Sequence, residues 1–287
     1  MADRDTGILY LCATPIGNLS DITQRVLDTL KSVDIIAAED TRNSIRLLNH
    51  FSIKTPMTSY HEYNRYDKAV ELIDKLKEGR DIALITDAGT PGISDPGEVL
   101  VAMCRSEGIR VTSLPGPCAL ITALTMSGLK TRRFVFEAFL PPDKKERNEI
   151  LSDLKNEKRT IIIYEAPHHL KKTLSVLLNS LGNRRIVLCR ELTKKFEEVT
   201  DLSLEEAVLY YSANEPRGEY VLCIEGRDPI ELQREEELKW QEISLKEHMK
   251  LYEDKGIDKK ECMKLVAKDR GIQKRDVYNA LLREQEQ

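Results

Sequence analysis

Residues 81–97, DIALITDAGTPGISDPG, carry the densest chemistry in the chain. Gly89, Gly92 and Gly97, with Pro91 and Pro96, let the backbone turn sharply and bring N–H groups up to a ligand without side-chain obstruction. Asp87 and Asp95 add anionic acceptors, which suit hydroxyls or an ammonium group and suit a phosphate poorly. A connecting turn that uses Gly and Pro for geometry alone is the competing reading. Two further turns have a similar character, Ala13-Thr14-Pro15-Ile16-Gly17-Asn18 and Leu114-Pro115-Gly116-Pro117-Cys118-Ala119. Gly116 permits close backbone approach, and a helix starting near Cys118 offers N-terminal N–H groups to a carboxylate or a ring nitrogen.

Turns of this kind need strands to position them. Ile82-Ala83-Leu84-Ile85 has the length and apolarity of a buried parallel strand, and in open α/β sheets ligands bind beyond the carboxyl ends of such strands. Ile8 to Cys12 reads as a strand entering the first turn, before a helix from near Asp21 whose Ile22, Val26, Leu27 and Leu30 share one face. Asp34 to Ala38 is a second strand, ending in Glu39-Asp40-Thr41-Arg42 before a helix with Ile45, Leu47 and Leu48. Met57 to Tyr60 is a third, followed by His61-Glu62-Tyr63-Asn64-Arg65 and a helix with Val70, Leu72, Ile73 and Leu76. A helix from about Pro96 and a strand from Arg110 to Leu114 complete an alternation that predicts a mainly parallel sheet with helices on both faces.

Beyond the PGP turn, Phe134-Val135-Phe136, Ile161 to Tyr164, Ile186 to Cys189, Glu197 to Thr200 and Glu219 to Ile224 are strand candidates. Helices near 143–156, 168–180 and 203–212 intervene, so the second sheet is expected to be mixed. Polar clusters close its strands: Glu165-Ala166-Pro167-His168, Glu191 to Lys195 and Arg217-Gly218-Glu219. From 229 onward only helices are indicated, near 231–242, 244–254, 258–269 and 273–284. The last two place Ala267, Gly271 and Val277 at helix-turn-helix spacing, supported by Val266, Ile272 and Ala280, although Arg270 stands where that motif wants an apolar residue. The division expected is an N-terminal α/β domain over 1–115, a C-terminal α/β domain over 116–228 and a helical tail over 229–287.

A hydrophobic fraction of 41% with 32% charged residues is that of a globular protein, and a net charge of −4 excludes a histone-like basic balance. The tail changes sign: residues 229–254 hold four Lys/Arg against eight Asp/Glu, and 255–283 hold nine against four. Six cysteines form no close pair and no zinc spacing, which points to free thiols in a reducing compartment. With neither a signal peptide nor a membrane-spanning run, the expected location is the cytoplasm. G-x-G-x-x-G after the first strand, G-x-x-x-x-G-K-[ST] and G-x-S-x-G are all absent, which demotes a standard dinucleotide site, NTP hydrolysis and esterase chemistry. No His spacing calls for a metal.

The series TPIGNL, AEDTR, DAGTPGISDPG, PGPCA, YEAPH and ELTK resembles the tetrapyrrole-methylase-like (class III) methyltransferases, and within them the branch that methylates a cytidine 2′-hydroxyl of small-subunit (16S) ribosomal RNA. The resemblance covers about residues 8–226 and the tail. It implies two α/β domains with S-adenosylmethionine in the cleft between them, and a homodimer. Carried over by motif, Pro15 in the first turn, Asp87, Ala88, Gly89, Thr90, Ile93 and Ser94 in the central loop, and Pro117, Cys118 and Ala119 after it should line the cofactor pocket, with Tyr164 and Glu165 approaching from the second domain. Several members of the superfamily carry Ser or Thr near the position of Cys118.

A ribose 2′-hydroxyl is a weak acid, so its methylation is helped by a base or by a cation that stabilises the emerging alkoxide. Glu39 and Asp40, with Arg42 beside them, are the leading substrate-side candidates, and Lys194 and Glu165 are the alternatives. Glu39 and Asp40 also read as caps of the following helix, and Lys194-Lys195 as part of a solvated charged face. In the tail, Lys264, Lys268, Lys274 and Arg275, with Gln273, Tyr278 and Asn279, are the candidate RNA contacts; a helical appendage that supports a dimer is the other reading. Two rival functions stay open: a methyltransferase acting on a corrinoid or other tetrapyrrole, and a ligand-sensing helix-turn-helix regulator that binds DNA.

Overall fold

The computed structural model describes residues 6–283. Five parallel strands form the first sheet: β1 (Ile8–Cys12), β2 (Ile35–Ala38), β3 (Met57–Ser59), β4 (Ile82–Ile85) and β5 (Arg110–Leu114), in the order β3-β2-β4-β1-β5. Every residue of β2 and β4 is buried, because helices cover both faces. On one face, α3 (Arg65–Lys77) and α4 (Gly97–Ser106) bury Leu72, Leu76, Leu100 and Cys104. On the other, α1 (Gln24–Ser32) and α2 (Thr41–His50) bury Val26, Leu30 and Leu48.

The first helix starts later than its apolar spacing suggests. Thr23 caps it by accepting the Val26 N–H, and the residues before it, Leu19–Asp21, form a 3-10 turn capped by Asn18. Ile45 and Val70, read as part of apolar helical faces, are exposed. Each lies beside a helical stripe that the flanking leucines already fill.

The second sheet runs β6 (Phe134–Phe139), β7 (Thr160–Glu165), β10 (Tyr220–Ile224), β8 (Arg185–Arg190) and β9 (Glu198–Ser203), in that spatial order. Only β6 and β7 are parallel, so the sheet is mixed. Period-two alternation divides its side chains. Ile161, Ile163, Leu188 and Leu222 face α6 (Lys144–Leu154), α7 (Pro167–Leu181) and α8 (Leu204–Ala213), whereas Ile162, Val187, Cys189 and Val221 face α5 (Ala119–Met126). Ile16, from the turn after β1, packs into this second cluster, so the first sheet's turn is built into the second sheet's core. Of the six cysteines, five are buried and Cys118 is half-buried; all are free.

The tail comprises α9 (Pro229–Gln241), α10 (Leu245–Glu253), α11 (Lys259–Asp269) and α12 (Lys274–Arg283), around a small core of Met249, Cys262, Val266, Ala267 and Val277. Gly271 turns α11 into α12 with φ +62°, a conformation favoured by glycine. Ile272 is 39% exposed and stands outside this core, so it does not support the motif from inside. Arg270 serves the turn with its charge instead. Its Nη2 donates to the Ile243 carbonyl at 2.6 Å and its Nε to His248 Nδ1 at 3.1 Å. His248 is fully buried, lies 3.2 Å from Asp269 by its other nitrogen, and is stacked on Trp240 with ring centroids 3.9 Å apart. Among the described residues no helix is long and apolar enough to cross a membrane.

Candidate active site

Three turns at the carboxyl edge of the first sheet are tied to one another by hydrogen bonds. Thr14 and Gly89 exchange backbone bonds of 2.9 and 3.0 Å, and Thr14 Oγ1 donates to the Thr86 carbonyl at 3.2 Å. Thr90 Oγ1 donates to the Pro117 carbonyl at 3.0 Å, joining the central loop to the turn after β5. Gly89 has φ +84°, and a Cβ there would meet Ile16 Cγ2 at 3.3 Å. Gly116 is crowded further: its Cβ would lie 2.7 Å from that of Ala13. Glycine is needed at both places for the turns to close on one another.

Asp95 acts differently from the sequence expectation. Its carboxylate accepts the N–H groups of Gly92, Ile93 and Gly97 at 2.8 to 3.0 Å, so it folds the loop internally. A carboxylate that already accepts three backbone donors is poorly placed to serve as a free acceptor for a ligand.

The turns enclose one side of a cavity of about 450 Å³, within the usual range for a small-molecule site. The second sheet closes the other side. Tyr164 packs its ring on Phe136 and Phe139, and its hydroxyl accepts the Leu120 N–H at 3.1 Å, holding the first turn of α5. Burial pushes the Tyr164 phenol up to about 12, so it stays protonated at neutral pH. Glu165 is buried, accepts the Ala166 N–H at 2.8 Å and is hydrogen-bonded by the Thr173 hydroxyl, so its carboxylate is held inside its own strand–helix junction.

Lys194 reaches the cavity from the loop after β8. Its ammonium donates to Glu219 at 2.7 Å and Glu191 at 2.9 Å. Burial alone pulls its pKa down, but those two hydrogen bonds outweigh it and the pKa lies above the ordinary lysine value. The loop is tightly seated: a Cβ on Gly17 would come within 2.4 Å of Lys194 Cγ.

Opposite, Glu39 lines the cavity from the end of β2. Its pKa is raised, chiefly by burial and further by the neighbouring Asp87, Asp95 and Asp40. Asp40 and Arg42 stand elsewhere. Asp40 caps α2, accepting the Arg42 N–H at 2.8 Å, and forms a bidentate pair with the Arg42 guanidinium, which holds the Asp40 carboxyl down at about 2. Arg42 is 88% exposed in its side chain, and neither residue lines the cavity. The capping reading thus describes Asp40 and not Glu39.

Of the residues expected to hold a cofactor, the structure brings Asp87, Ala88, Gly89, Thr90, Ile93, Ser94, Cys118, Ala119 and Tyr164 to the cavity wall. Pro15 is displaced by its neighbour Ile16, and Pro117 contributes a carbonyl to Thr90 from behind. The sequence reading missed Leu192, Val221 and Cys189, whose apolar side chains line the cavity and share a buried cluster with Ile16. Leu192 lies inside the ELTK motif, but nothing in its spacing separates cavity wall from core. The proposed RNA contacts lie apart, in the tail. Lys264 is ion-paired to Glu261 at 2.7 Å; Lys268 and Arg275 are exposed, and Lys274 is half-buried.

S-Adenosylmethionine fits this cavity by its chemistry. Ile16, Leu192 and Val221 give an apolar wall, Asp87 an anionic acceptor, and the α5 N-terminus, where Cys118 makes no cap bond of its own and Tyr164 takes the Leu120 N–H, lies at Cys118 and Ala119.

Residues 8–208 match the family model described as Tetrapyrrole (Corrin/Porphyrin) Methylases. The chain is 50% identical over 275 residues, 96% of its length and 94% of the relative's, to the Ribosomal RNA small subunit methyltransferase I of Halalkalibacterium halodurans. It is 46% identical over 277 residues to the protein of the same name from Synechocystis, covering 96% of this chain and 98% of that one. Among solved structures, a diphthine synthase superposes with a TM-score of 0.61 at 12% identity, covering 76% of this chain and 90% of that one. The uroporphyrin-III C-methyltransferase of Thermus thermophilus, complexed with S-adenyl homocysteine, gives 0.52 at 16% identity, covering 75% and 92%. These two likenesses describe the fold.

Proposed function

The chain belongs to the tetrapyrrole (corrin/porphyrin) methylase family, and from that membership and its relatives' shared name we propose that it is an S-adenosylmethionine-dependent methyltransferase of small-subunit ribosomal RNA, acting on a cytidine 2′-hydroxyl. The observation that carries the reading is the cavity itself, walled on one side by three interlocked Gly/Pro turns and on the other by Tyr164, Leu192 and Lys194. The relatives' name favours RNA as acceptor over a tetrapyrrole or a DNA operator.

When bound, S-adenosylmethionine supplies an electrophilic methyl group on a sulfonium. The chain's own residues do the rest. Glu39 takes the proton of the ribose hydroxyl as the oxygen gains its methyl group; a carboxyl with a raised pKa is a stronger base than an exposed one. Lys194, kept protonated by Glu191 and Glu219, stabilises negative charge developing on that oxygen. Holding the two reactants in line contributes up to about 7–11 kcal/mol, which is the task of the interlocked turns. Tyr164 and Glu165 act as positioning groups, and Asp40 and Arg42 shape the β2 end from outside. The tail's Lys264, Lys268, Lys274 and Arg275 contact RNA phosphates.

A homodimer in the cytoplasm completes the proposal. The exposed apolar side chains of Leu209 and Tyr210 on α8 support the first, and light scattering of the purified protein reads it. For the activity, the test is incubation with labelled methyl donor and unmodified small ribosomal subunits, followed by nucleoside analysis. Label in 2′-O-methylcytidine is expected. Label in a base-methylated nucleoside, or none in RNA, contradicts the reading.

A further inference from the structure

Several of the protein's most exposed aromatic rings stand in the segments that follow β3 and β8. Strand order puts β3 two places from β4, and parallel strands end at the same edge, so the loop after β3 lies about 10 Å along the rim from the central loop. This loop is anchored. Tyr60 is buried and its hydroxyl donates to the Pro96 carbonyl at 2.9 Å, and the His61 N–H donates to Asn64 Oδ1 at 2.8 Å. From that fixed turn Tyr63 projects 97% exposed, and in the first turn of α3 Tyr66 stands 62% exposed with the Arg65 guanidinium 5.0 Å from its ring centroid.

On the side of the second sheet, the loop that brings Lys194 to the cavity carries Phe196, 66% exposed, with the Lys195 ammonium 5.6 Å from its ring centroid. Hydrogen bonds brace this loop too, from the Glu197 N–H to the Lys194 carbonyl at 3.1 Å and from the Thr193 N–H to the Glu197 carboxylate at 2.6 Å.

We propose that Tyr63 and Tyr66 on one side of the cavity's mouth, and Phe196 on the other, are stacking platforms for the unpaired bases that flank the target nucleotide in single-stranded RNA. Flat apolar rings held in water by braced loops contribute little to the fold, whereas a base that stacks on them meets a face already ordered. A cation beside the ring is the pairing that single-strand binders use, because it adds attraction to phosphate and to the π-face of a base. In a duplex the base faces are covered by their neighbours, so only a looped or unpaired strand offers them. Platforms on opposite sides of the mouth would splay the strand over the cavity and turn one ribose inward. The proposal rests on the reading of the chain as an RNA methyltransferase.

The test measures the affinity of the full-length protein for a single-stranded oligoribonucleotide of about 12 nucleotides at low and high salt, beside methylation of unmodified small subunits. Tyr63→Ala and Phe196→Ala are each expected to weaken oligonucleotide binding roughly ten-fold, by the same factor at both salt concentrations, with S-adenosylmethionine affinity unchanged. Tyr63→Trp should restore binding and Tyr63→Leu should not. Unchanged affinity in both alanine variants overturns the proposal, as does a weakening that disappears at high salt. Dissociation of a dimer in those variants with RNA affinity intact overturns it as well, and assigns the rings to contact between copies. A parent protein that methylates no RNA refutes the functional reading instead, whereas a methylating parent with indifferent variants refutes the stacking alone.

Discussion

Glu39 is the residue where stability and activity oppose each other. Its pKa is raised by burial and by acidic neighbours, so the folded state favours the protonated form. Such a group destabilises the fold increasingly as pH rises through the ordinary glutamate range toward its elevated folded value. Glu39→Gln should therefore raise the melting temperature at pH 7, leave it unchanged near pH 4, and reduce methyl transfer; a variant equally stable to the parent at both pH values contradicts this. Tyr164→Phe keeps the ring on Phe136 and Phe139 but removes the acceptor of the Leu120 N–H. A loss of about 1 kcal/mol is expected in chemical denaturation, with weaker cofactor binding by calorimetry. Gly89→Val adds a β-branched side chain at φ +84° against Ile16, and should lose cofactor binding altogether in the same calorimeter. Much of this was legible by residue type: Gly89, Thr90, Cys118 and Tyr164 were picked out by the motifs and all reach the cavity. Asp95 was picked out too, but as a ligand acceptor, because spacing reveals a carboxylate but not the three N–H groups that fold back onto it.

At the scale of elements, the central loop depends on that carboxylate. Asp95→Ala leaves the N–H groups of Gly92, Ile93 and Gly97 without their acceptor in a partly buried turn, and should cost about 2 kcal/mol. Faster amide exchange confined to residues 92–97 would be its signature; unchanged exchange there would dismiss the role. Strands and helices were readable because buried parallel strands leave uninterrupted apolar runs, as in β4, and helices repeat at a different period. Their edges were less so. The helix expected from Asp21 begins at Gln24, since Asn18 and Thr23 each offer a capping oxygen and the second is the one that nucleates α1. Placement of Ile16 in the second sheet's core was illegible, because a contact between distant segments leaves no trace in local periodicity.

For the molecule as a whole, the hydrophobic clusters of the two sheets and of the tail involve different residues, and the tail's cluster belongs to α10, α11 and α12. Lys274→Glu with Arg275→Glu should accordingly weaken RNA association, flatten its salt dependence by about two units of slope and spare cofactor binding. Equal RNA affinity across a salt series would remove the tail from the substrate surface. Composition made the tail's change of charge visible, but the part played by Arg270 was hidden, since its partners Ile243 and His248 come from a different helix–turn segment. Burial depresses the His248 pKa against the counter-effect of Asp269, so the folded tail favours the neutral ring and loses stability as pH falls below about 6.5. The chain has a single tryptophan, Trp240, and it lies flat on that imidazole. Its intrinsic fluorescence therefore reports on the appendage alone, and acid titration followed at the indole wavelength would watch one module melt while the catalytic body stays spectroscopically silent.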